Sequence, residues 1–418
     1  MPEKAMSYND RRCFHNLIYL VDSGDTHAAE WPTGKLQDEL SLHSGPDSSY
    51  DEPWSSRSRC LRFQNSTERY CVYTSTTFAG GRGISVFTTP ERAAQIARLP
   101  AFTDPEVLHG VNHEPNPPYE ARTLPGRGIG LIANRTLHRG DHIFSNTPVL
   151  LVQESISEDF FLKDHGPFHA EAVERLPERS RAAFMNLCGH FGGDPVQDII
   201  NTNSFEVVMF DDEDDVPFNM VVSEISRLNH ACRPNAHYVF DNTTLTHRVH
   251  ALRTIQPGEE LTISYIDPVL PRAVRLESLK HSWGFKCSCK HCRLPDDEAA
   301  ISDARIARIQ NLTEELKNYE STARASPESA VELVDLYEEE RLWAPIAEAY
   351  TLAALEWNGD GNVGTARVFA KAAVESGLLY GGRADDDVRE MERLVEDPTT
   401  HWSWGLRGRT RIKGDIPE

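Results

Sequence analysis

The apolar residues along this chain follow two different periods, one typical of strands and the other of helices. Runs rich in β-branched and aromatic residues, separated by turn residues, predict short strands. These runs lie at 70–78, 84–89, 119–153 and 236–266. Apolar residues spaced by threes and fours predict helices at 156–204 and over most of 299–395. The pattern therefore predicts an α+β protein with a β-rich middle and a helical end.

Changes in composition and periodicity divide the chain into five segments. Residues 1–58 are rich in Ser, Asp, Gly and Pro, and are predicted to form a mostly disordered arm. The other predicted segments are a small β/α unit with its linker at 59–118, a β-rich domain at 119–268 with a helical insert at about 156–204, a cysteine-containing segment at 269–295 and a helical domain at 296–418. Short breaks between the helices of the last segment indicate an array of α-hairpins, without a strict repeat.

The charge of the chain narrows the classes of partner. Its 418 residues carry a formal net charge of −21, which argues against direct nucleic-acid binding because phosphate contacts need clustered Lys and Arg. An acidic protein suits a Lys- or Arg-rich peptide, although acidic runs such as 211–215 and 338–340 are more often solvated surface. No apolar run reaches the length of about 18 residues that a membrane span needs. No secretory signal is evident, so we expect no membrane association and a cytoplasmic or nuclear location, or both.

Three of the eight cysteines stand within six residues, as Cys287, Cys289 and Cys292. Their C-x-C-x2-C spacing is typical of metal ligands in a reducing compartment, and a secreted disulfide framework is the weaker alternative. A structural zinc prefers four ligands in a tetrahedron, so this cluster lacks one. A candidate for the fourth lies about 55 residues upstream, in the string Asn229-His230-Ala231-Cys232.

Three further motifs carry candidate chemistry. Gly126-x-Gly128-x-Gly130 lets a ligand approach bare backbone, but it does not open a helix, and by itself it reads as a tight β-turn. The string 229–235, NHACRPN, combines an amide, a tunable imidazole and a soft sulfur ligand before a proline turn. In 257–265, PGEELTISY, the Pro-Gly turn precedes a short alternating strand in which Tyr265 would be core packing by default.

Taken together and in this order, the motifs resemble those of the SET-domain protein lysine methyltransferases. They match that family's GxG strand, its NHxCxPN motif, its GEELTxxY segment and its post-SET CxCxxC, over about 119–294. The helical insert and the helical end resemble the branch that includes the SET-and-MYND proteins, but no MYND finger is visible here. Cys13, Cys60 and Cys71 are far apart and form no CxxC pair. The segment 70–94 resembles the front end of fungal SET-domain proteins without MYND, and we rank that subgroup first.

The resemblance implies a fold and a site. The fold is a β-rich SET domain, a β-clip of short sheets, with a helical insert, a zinc-binding post-SET segment and an α-helical, repeat-like C-terminal domain. The residues implied to contact S-adenosylmethionine are Arg127, Gly128, Ile129, Asn229 and His230. Tyr265 would lie where the methyl donor and the target lysine meet, and Tyr238, Phe240 and Phe285 are candidates for the wall of the lysine channel.

The resemblance also implies one structural zinc ion, bound by Cys232, Cys287, Cys289 and Cys292. Four thiolates complete a closed site, which leaves His291, between two of the ligands, as a bystander. The zinc would tie the post-SET segment onto the domain and close the lysine channel. No metal is implied in the chemistry itself.

The implied reaction is direct displacement at the sulfonium methyl carbon by a lysine of a protein or peptide substrate, histone or non-histone. A catalytically silent SET-fold scaffold, which binds partners through its helical end, is the alternative. Asn229, His230 and Tyr265 are all present, which argues against a decayed site. A zinc-dependent DNA-binding module would need a basic face, and a metallohydrolase would need an open coordination position.

Overall fold

The computed structural model describes residues 52–55, 60–62, 69–154, 162–210, 216–319 and 324–407. Most of the predicted arm at 1–58 and the acidic run 211–215 lie outside the described residues. Strands occupy much of the first two thirds of the described chain. They are β1 Cys60–Arg62, β2 Arg69–Ser75, β3 Ile84–Thr88, β4 Tyr119–Leu124, β5 Gly128–Ala133, β6 His142–Asn146, β7 Leu150–Gln153, β8 Ser204–Val208, β9 Pro217–Val221, β10 Asn229–His230, β11 Ala236–Asp241, β12 Thr246–Ala251 and β13 Glu260–Ile263.

These strands form three short sheets. One has the order β1-β2-β3-β7-β9-β8, the second β10-β13-β5-β4, and the third β11-β12-β6. Two pairings are parallel, β3 with β7 and β10 with β13, and the others are antiparallel. The second sheet matters most for the site, because it joins strands that lie more than a hundred residues apart in sequence.

The helices fall into an N-terminal set, an insert and a C-terminal set. They are α1 Phe78–Gly81, α2 Pro90–Ile96, α3 Pro100–Thr103, α4 Leu162–Glu174, α5 Glu178–Met185, α6 Pro195–Asn203, α7 Arg272–Trp283, α8 Asp296–Lys317, α9 Pro327–Glu339, α10 Ile346–Gly359, α11 Val363–Tyr380 and α12 Asp386–Glu396. Among the described helices, none is both long and apolar enough to cross a membrane.

Local sequence explains where several helices begin. The Thr89 side chain accepts a hydrogen bond from the amide of Arg92, and Pro90 occupies the first turn of α2. Asp194, which precedes Pro195, does the same for α6 by accepting hydrogen bonds from the amides of Val196 and Gln197. A polar N-cap satisfies an amide that the helix leaves unpaired, and proline at the first position needs no donor. These local contacts therefore account for the starts of α2 and α6.

The apolar faces of these elements pack into separate cores. One lies inside the sheets of the first two thirds of the chain, and a second lies between β2, β3, β7 and the insert helices α4 to α6. Two more lie among the C-terminal helices, where each helix from α8 to α12 packs against the next. A small core joins Cys232 to Leu279 and Trp283 of α7, and holds the end of α7 beside the cysteines.

The sequence analysis did not predict a covalent link between β1 and β2. Cys60 of β1 and Cys71 of β2 form a disulfide bond, although we set aside a disulfide framework and treated the two residues as far apart. They face each other in the antiparallel register of β1 and β2, so pairing across a hairpin brings together residues separated by 11 positions. Sequence distance was therefore a poor guide to spatial distance at this pair.

Candidate functional site

The backbone of the second sheet brings three of the predicted motifs together. In the parallel pairing of β10 with β13, Asn229 lies beside Thr262 and His230 beside Ile263. On the other side of β13, Leu261 faces Leu131 of β5, the strand that contains the last two glycines of the glycine motif. Strand β13, which carries the GEEL segment, thus pairs with β10, which carries Asn229 and His230, on one side and with β5, which carries the glycine motif, on the other.

Glu260 links Asn229 to Arg127. One carboxylate oxygen of Glu260 accepts a hydrogen bond from Asn229 Nδ2 at 2.7 Å, and the other lies 3.2 Å from Arg127 Nη2. The same Arg127 nitrogen donates to the His230 carbonyl at 3.0 Å. Because Nδ2 is already engaged, the carboxamide group has a fixed orientation and presents its oxygen as an acceptor. Glu260 is thus a site residue that the sequence analysis did not single out.

The three glycines of the motif have different reasons to be glycine. Gly126 and Gly128 have φ values of +70° and +69°, in the left-handed region that other residues rarely adopt. At Gly130 the constraint is space. A β-carbon there would lie 2.8 Å from Glu260 Oε1, 2.9 Å from Asn229 Nδ2 and 2.6 Å from a methyl of Leu124. The third glycine therefore leaves room for the Asn229–Glu260 hydrogen bond.

His230 is held on both sides of its ring. Its Nδ1 accepts a hydrogen bond from the backbone amide of Tyr265 at 3.0 Å, and its Nε2 lies 3.3 Å from Cys232 Sγ. Since Nδ1 is an acceptor, the ring proton lies on Nε2 and points to the sulfur. Burial lowers the pKa of His230 to about 3. His230 is therefore a neutral, fixed link between the Tyr265 backbone and the cysteine cluster.

Tyr265 lies beside His230, just after the end of β13. Its hydroxyl donates to the Leu228 carbonyl at 2.8 Å, and burial raises its pKa well above the usual value. The ring packs near Trp283, with centroids 5.9 Å apart, and edge-on to Phe285 at 6.5 Å. Tyr265 is thus a neutral phenol in an aromatic setting, suited to orient a group but poorly suited to remove its proton.

The four predicted zinc ligands converge. The sulfur atoms of Cys232, Cys287, Cys289 and Cys292 all lie within 4.8 Å of one another, and those of Cys232 and Cys292 are 3.4 Å apart. Tetrahedral Zn–S bonds of about 2.3 Å require sulfurs about 3.8 Å apart, so the donor set and its spacing fit zinc. Hydrogen bonds among the thiols raise the pKa of Cys232 and lower that of Cys289. A bound cation would offset the mutual repulsion of the thiolates.

His291 faces away from the sulfur cluster. Its Nε2 lies 3.3 Å from the Ser302 hydroxyl on α8 and 3.8 Å from Glu340 Oε2. Burial lowers its pKa to about 4. The prediction that His291 is a bystander to the metal agrees with this position.

The candidate channel residues separate into two groups. Phe285 lies near Tyr265 and His230, with ring centroids 6.5 and 6.1 Å away. Tyr238 and Phe240 instead surround His247, with centroids 5.1 and 5.0 Å from its ring. Phe205, which the sequence analysis did not single out as a channel residue, packs edge-on to Tyr238 at 5.0 Å.

A polar cavity of about 980 Å³ borders the site on the side of the C-terminal helices. The residues that line it include Arg127, Ala231, Glu260, Cys289 and Lys290. A cavity of this size can hold a ligand as large as a nucleoside. Arg127, one of the lining residues, has its Nε buried without a hydrogen-bond partner among the described residues.

Comparisons with known proteins agree with this geometry. A model of the SET domain matches residues 128–266. Histone-lysine N-methyltransferase set5 of Schizosaccharomyces pombe is 25% identical over 298 residues, 68% of this chain and 85% of that protein. Human histone-lysine N-methyltransferase SMYD3 is 36% identical over 96 residues, 23% of this chain and 22% of that protein.

The chain contains a SET domain. The match ends one residue after Tyr265, so the cysteine segment and the C-terminal helices lie beyond it. Among solved structures, a chain of the Chaetomium thermophilum polycomb repressive complex 2 covers 71% of this chain and 33% of its own length. It is 15% identical, with a TM-score of 0.20, and such a low score supports no argument about the fold.

A contact that the sequence motifs do not predict joins the helical insert to the end of α7. The insert loop before α6 places His190 against Gly284, the residue that ends α7 and precedes Phe285. The Asp198 carboxylate holds this loop by accepting hydrogen bonds from the amides of His190, Phe191 and Gly192, at 2.8, 2.8 and 2.9 Å. Gly284 has a left-handed backbone, with φ +66°. The only sign of this in the motifs is that the residue is a glycine.

Proposed function

We propose that this protein transfers a methyl group from S-adenosylmethionine to a lysine of a protein substrate. One observation carries the proposal: Asn229, His230 and Tyr265 lie around one point, joined by the pairing of β10 with β13 and by the Tyr265–His230 hydrogen bond. The relatives named as histone-lysine N-methyltransferases support the same reaction. Histone and non-histone lysines are both candidate substrates, and direct nucleic-acid binding is not expected.

The donor would bind where the three motifs meet. The backbone of Arg127, Gly128 and Ile129 would run along it, the Asn229 carboxamide oxygen would accept from its ammonium group, and Arg127 would face its carboxylate. The His230 backbone would contact the adenine. A carboxamide acceptor beside a guanidinium donor suits a zwitterionic amino acid. This complementarity is the reason to place the methionine part of the donor beside Asn229 and Arg127.

The donor supplies an electrophilic methyl on a sulfonium sulfur. A lysine ammonium first loses its proton to solvent, a step that a desolvated channel beside a positive sulfonium favours. The amine then forms the N–C bond as the S–C bond breaks. The Tyr265 hydroxyl would orient the amine and would not act as a strong base, in line with its raised pKa. In-line alignment of two held reactants can contribute about 7–11 kcal/mol.

Zinc and the C-terminal helices complete the proposal. Cys232, Cys287, Cys289 and Cys292 would hold one structural zinc, which ties the post-SET segment beside Tyr265 and excludes water from the channel. The SET domain would be a β-clip of short sheets, and α8 to α12 would be a repeat-like array of helix pairs. The five-segment division and a cytoplasmic or nuclear location also stay predictions.

The test is calorimetric titration of S-adenosylmethionine into zinc-loaded protein, followed by transfer of a labelled methyl to lysine peptides and histones. Saturable binding that Asn229→Ala abolishes is the expected result. The matched control, Asn134→Ala, removes an exposed amide whose partner is the Pro117 carbonyl, and it should bind the donor as the unmodified protein does.

Two other outcomes have definite meanings. If the folded, zinc-loaded protein does not bind the donor, the enzyme proposal fails and the silent scaffold takes its place. If the donor binds but no lysine in the histone and peptide panel accepts the label, the donor site stands and the substrate class must be revised.

A further inference from the structure

A buried ion pair joins the SET domain to the C-terminal helices. Arg233 Nη2 lies 2.9 Å from Glu340 Oε2, and the two side chains are 9% and 3% exposed. Arg233 follows the predicted zinc ligand Cys232, whereas Glu340 ends helix α9. The pair therefore connects two segments that are 107 residues apart.

Arg233 does more than neutralise Glu340. Its Nη1 donates to the carbonyls of Cys232 and Pro268, at 2.9 and 3.0 Å. Its Nε donates to the Glu340 carbonyl at 2.5 Å, one of the carbonyls that a helix leaves unpaired at its end. Together with the ion pair to Glu340, these bonds let the rigid guanidinium fix the Cys232 carbonyl relative to Pro268 and the end of α9.

Glu340 is itself held by the segments around it. Its Oε2 accepts from the Ser302 hydroxyl of α8 at 2.7 Å, and its Oε1 lies 3.3 Å from Arg305 Nη1. His291, within the cysteine segment, lies 3.8 Å from Oε2. The carboxylate thus contacts α8, the cysteine segment and Arg233 at once.

Stability alone is a weak reason for this pair. Desolvating two charges costs about as much as their attraction returns, so an apolar pair of similar volume is often as stable. The position of the pair is a better reason, because one of the Arg233 hydrogen bonds ends on the Cys232 carbonyl. Cys232 Sγ in turn lies 3.3 Å from His230 Nε2, and His230 accepts from the Tyr265 amide.

We propose that Glu340 is a positioning residue, which holds Cys232 and the neighbouring His230 in place from the C-terminal helices through Arg233. The part that concerns the methyl donor rests on the proposed function, whereas the part that concerns metal retention does not. In this arrangement the C-terminal helices are a structural support of the zinc and donor sites.

The test compares Glu340→Leu, Arg233→Met and the double variant with both changes. Each zinc-loaded full-length protein is examined by thermal unfolding, by the rate of zinc release to a colorimetric chelator, and by donor affinity. The matched control is Glu356→Leu, which breaks another buried pair, Arg407–Glu356, with side chains 6% and 1% exposed. That pair lies among the C-terminal helices, where Arg407 donates to the carbonyls of Leu316 and Asn318.

Both Glu340→Leu and Glu356→Leu should lower the unfolding temperature. Only Glu340→Leu should accelerate zinc release, by about tenfold or more, as for other residues that orient metal ligands. The double variant should regain unfolding temperature but not zinc retention, because the side chain at position 233 can no longer donate to the Cys232 carbonyl. The affinity for S-adenosylmethionine should fall in the same variants that release zinc faster.

Two results would overturn the proposal. One is a double variant that recovers both stability and zinc retention, which would make the pair merely structural. The other is unchanged zinc release in folded Glu340→Leu. If neither leucine variant folds, Glu340→Gln, which keeps the size and an acceptor, is measured instead, and release at the unmodified rate would count against the proposal. Zinc release is independent of methyl transfer, so the two proposals fail separately.

Discussion

The imidazole of His190 lies against the α-carbon of Gly284, so that a β-carbon on Gly284 would come within 1.8 Å of His190 Cε1. This contact holds the insert loop against the residue that ends α7, one position before Phe285. The path of the backbone from α7 to the cysteines therefore depends on His190, nearly a hundred residues upstream.

Gly284→Ala should destabilise the protein by more than the strain of a left-handed alanine alone. The left-handed conformation costs about 1 kcal/mol with a β-carbon, and the clash with His190 adds to it. Gly110→Ala is the matched control, because Gly110 has φ +78° and nothing within 4 Å of an added β-carbon. Denaturant unfolding should give a larger loss for Gly284→Ala, and His190→Ala in the same chain should reduce it to the control's value. Equal losses in the two single variants would contradict the contact.

Gly130→Ala should impair donor binding more than stability. Its β-carbon would push Glu260 and Asn229 apart, and so turn the carboxamide that is proposed to bind the donor's ammonium group. We expect at least a tenfold loss of S-adenosylmethionine affinity by calorimetry, equivalent to about 1.4 kcal/mol. Gly166→Ala, where an added β-carbon has nothing within 4 Å, should bind normally. Undiminished affinity in Gly130→Ala would show that Asn229 does not need its present orientation.

Tyr265→Phe should separate binding from transfer. The hydroxyl bonds the Leu228 carbonyl and is proposed to orient the amine. Its loss should lower the transfer rate by about 100-fold, with less than about a threefold change in donor affinity. Tyr337→Phe, which removes a buried hydroxyl within the C-terminal helices, is the control. A Tyr265→Phe enzyme with full activity would remove the tyrosine from the mechanism.

Cys289→Ser should abolish stable zinc binding. With three thiolates, the ion keeps an open position, and a chelator can displace it more readily. Metal analysis after dialysis against a chelator should find about one zinc per unmodified chain and little in the variant. Added zinc should no longer raise the unfolding temperature of the variant. The double variant Cys60→Ser with Cys71→Ser removes cysteines outside the cluster, and it should retain the metal. Full zinc occupancy in Cys289→Ser would argue for another ligand set.

His247 should make the protein sensitive to acid. It is fully buried among Phe205, Tyr238 and Phe240, both ring nitrogens lack a described partner, and burial lowers its pKa to about 3. Its pKa in the unfolded chain is about 6.5, so acid favours unfolding. The stability from neutral His247 is complete above pH 6.5 and is lost as the pH falls toward 3.

His247→Leu should therefore flatten the dependence of stability on pH. The difference in unfolding free energy between His247→Leu and the unmodified protein should shift by about 3 kcal/mol in favour of the variant when the pH is lowered from 7 to 4. Urea unfolding at a series of pH values measures it. His113→Gln changes an exposed histidine, and it should follow the unmodified profile. Parallel profiles for His247→Leu and the unmodified protein would contradict the buried, neutral state.

Much of the fold followed from local pattern. Runs of β-formers predicted the strand region that holds β2 to β7, and the threefold and fourfold spacing predicted helices where α8 to α12 lie. In the structure, Thr89 and Pro90 set the start of α2 through contacts within one turn. Such signals are local, because capping and periodicity act within a few residues. The bond between Cys60 and Cys71 was missed because it depends on which strands pair.

For the site, sequence by itself determined the chemical groups and their order: the glycine strand, the amide and imidazole of Asn229 and His230, the phenol of Tyr265 and four cysteines with metal spacing. Only the tertiary structure decided what holds these groups: Glu260 orients Asn229, His190 packs on Gly284, and Glu340 reaches Arg233 from a helix 107 residues away. The physical reason is that residue identity sets what a group can do, whereas contacts between distant residues depend on strand register and on the packing of whole elements.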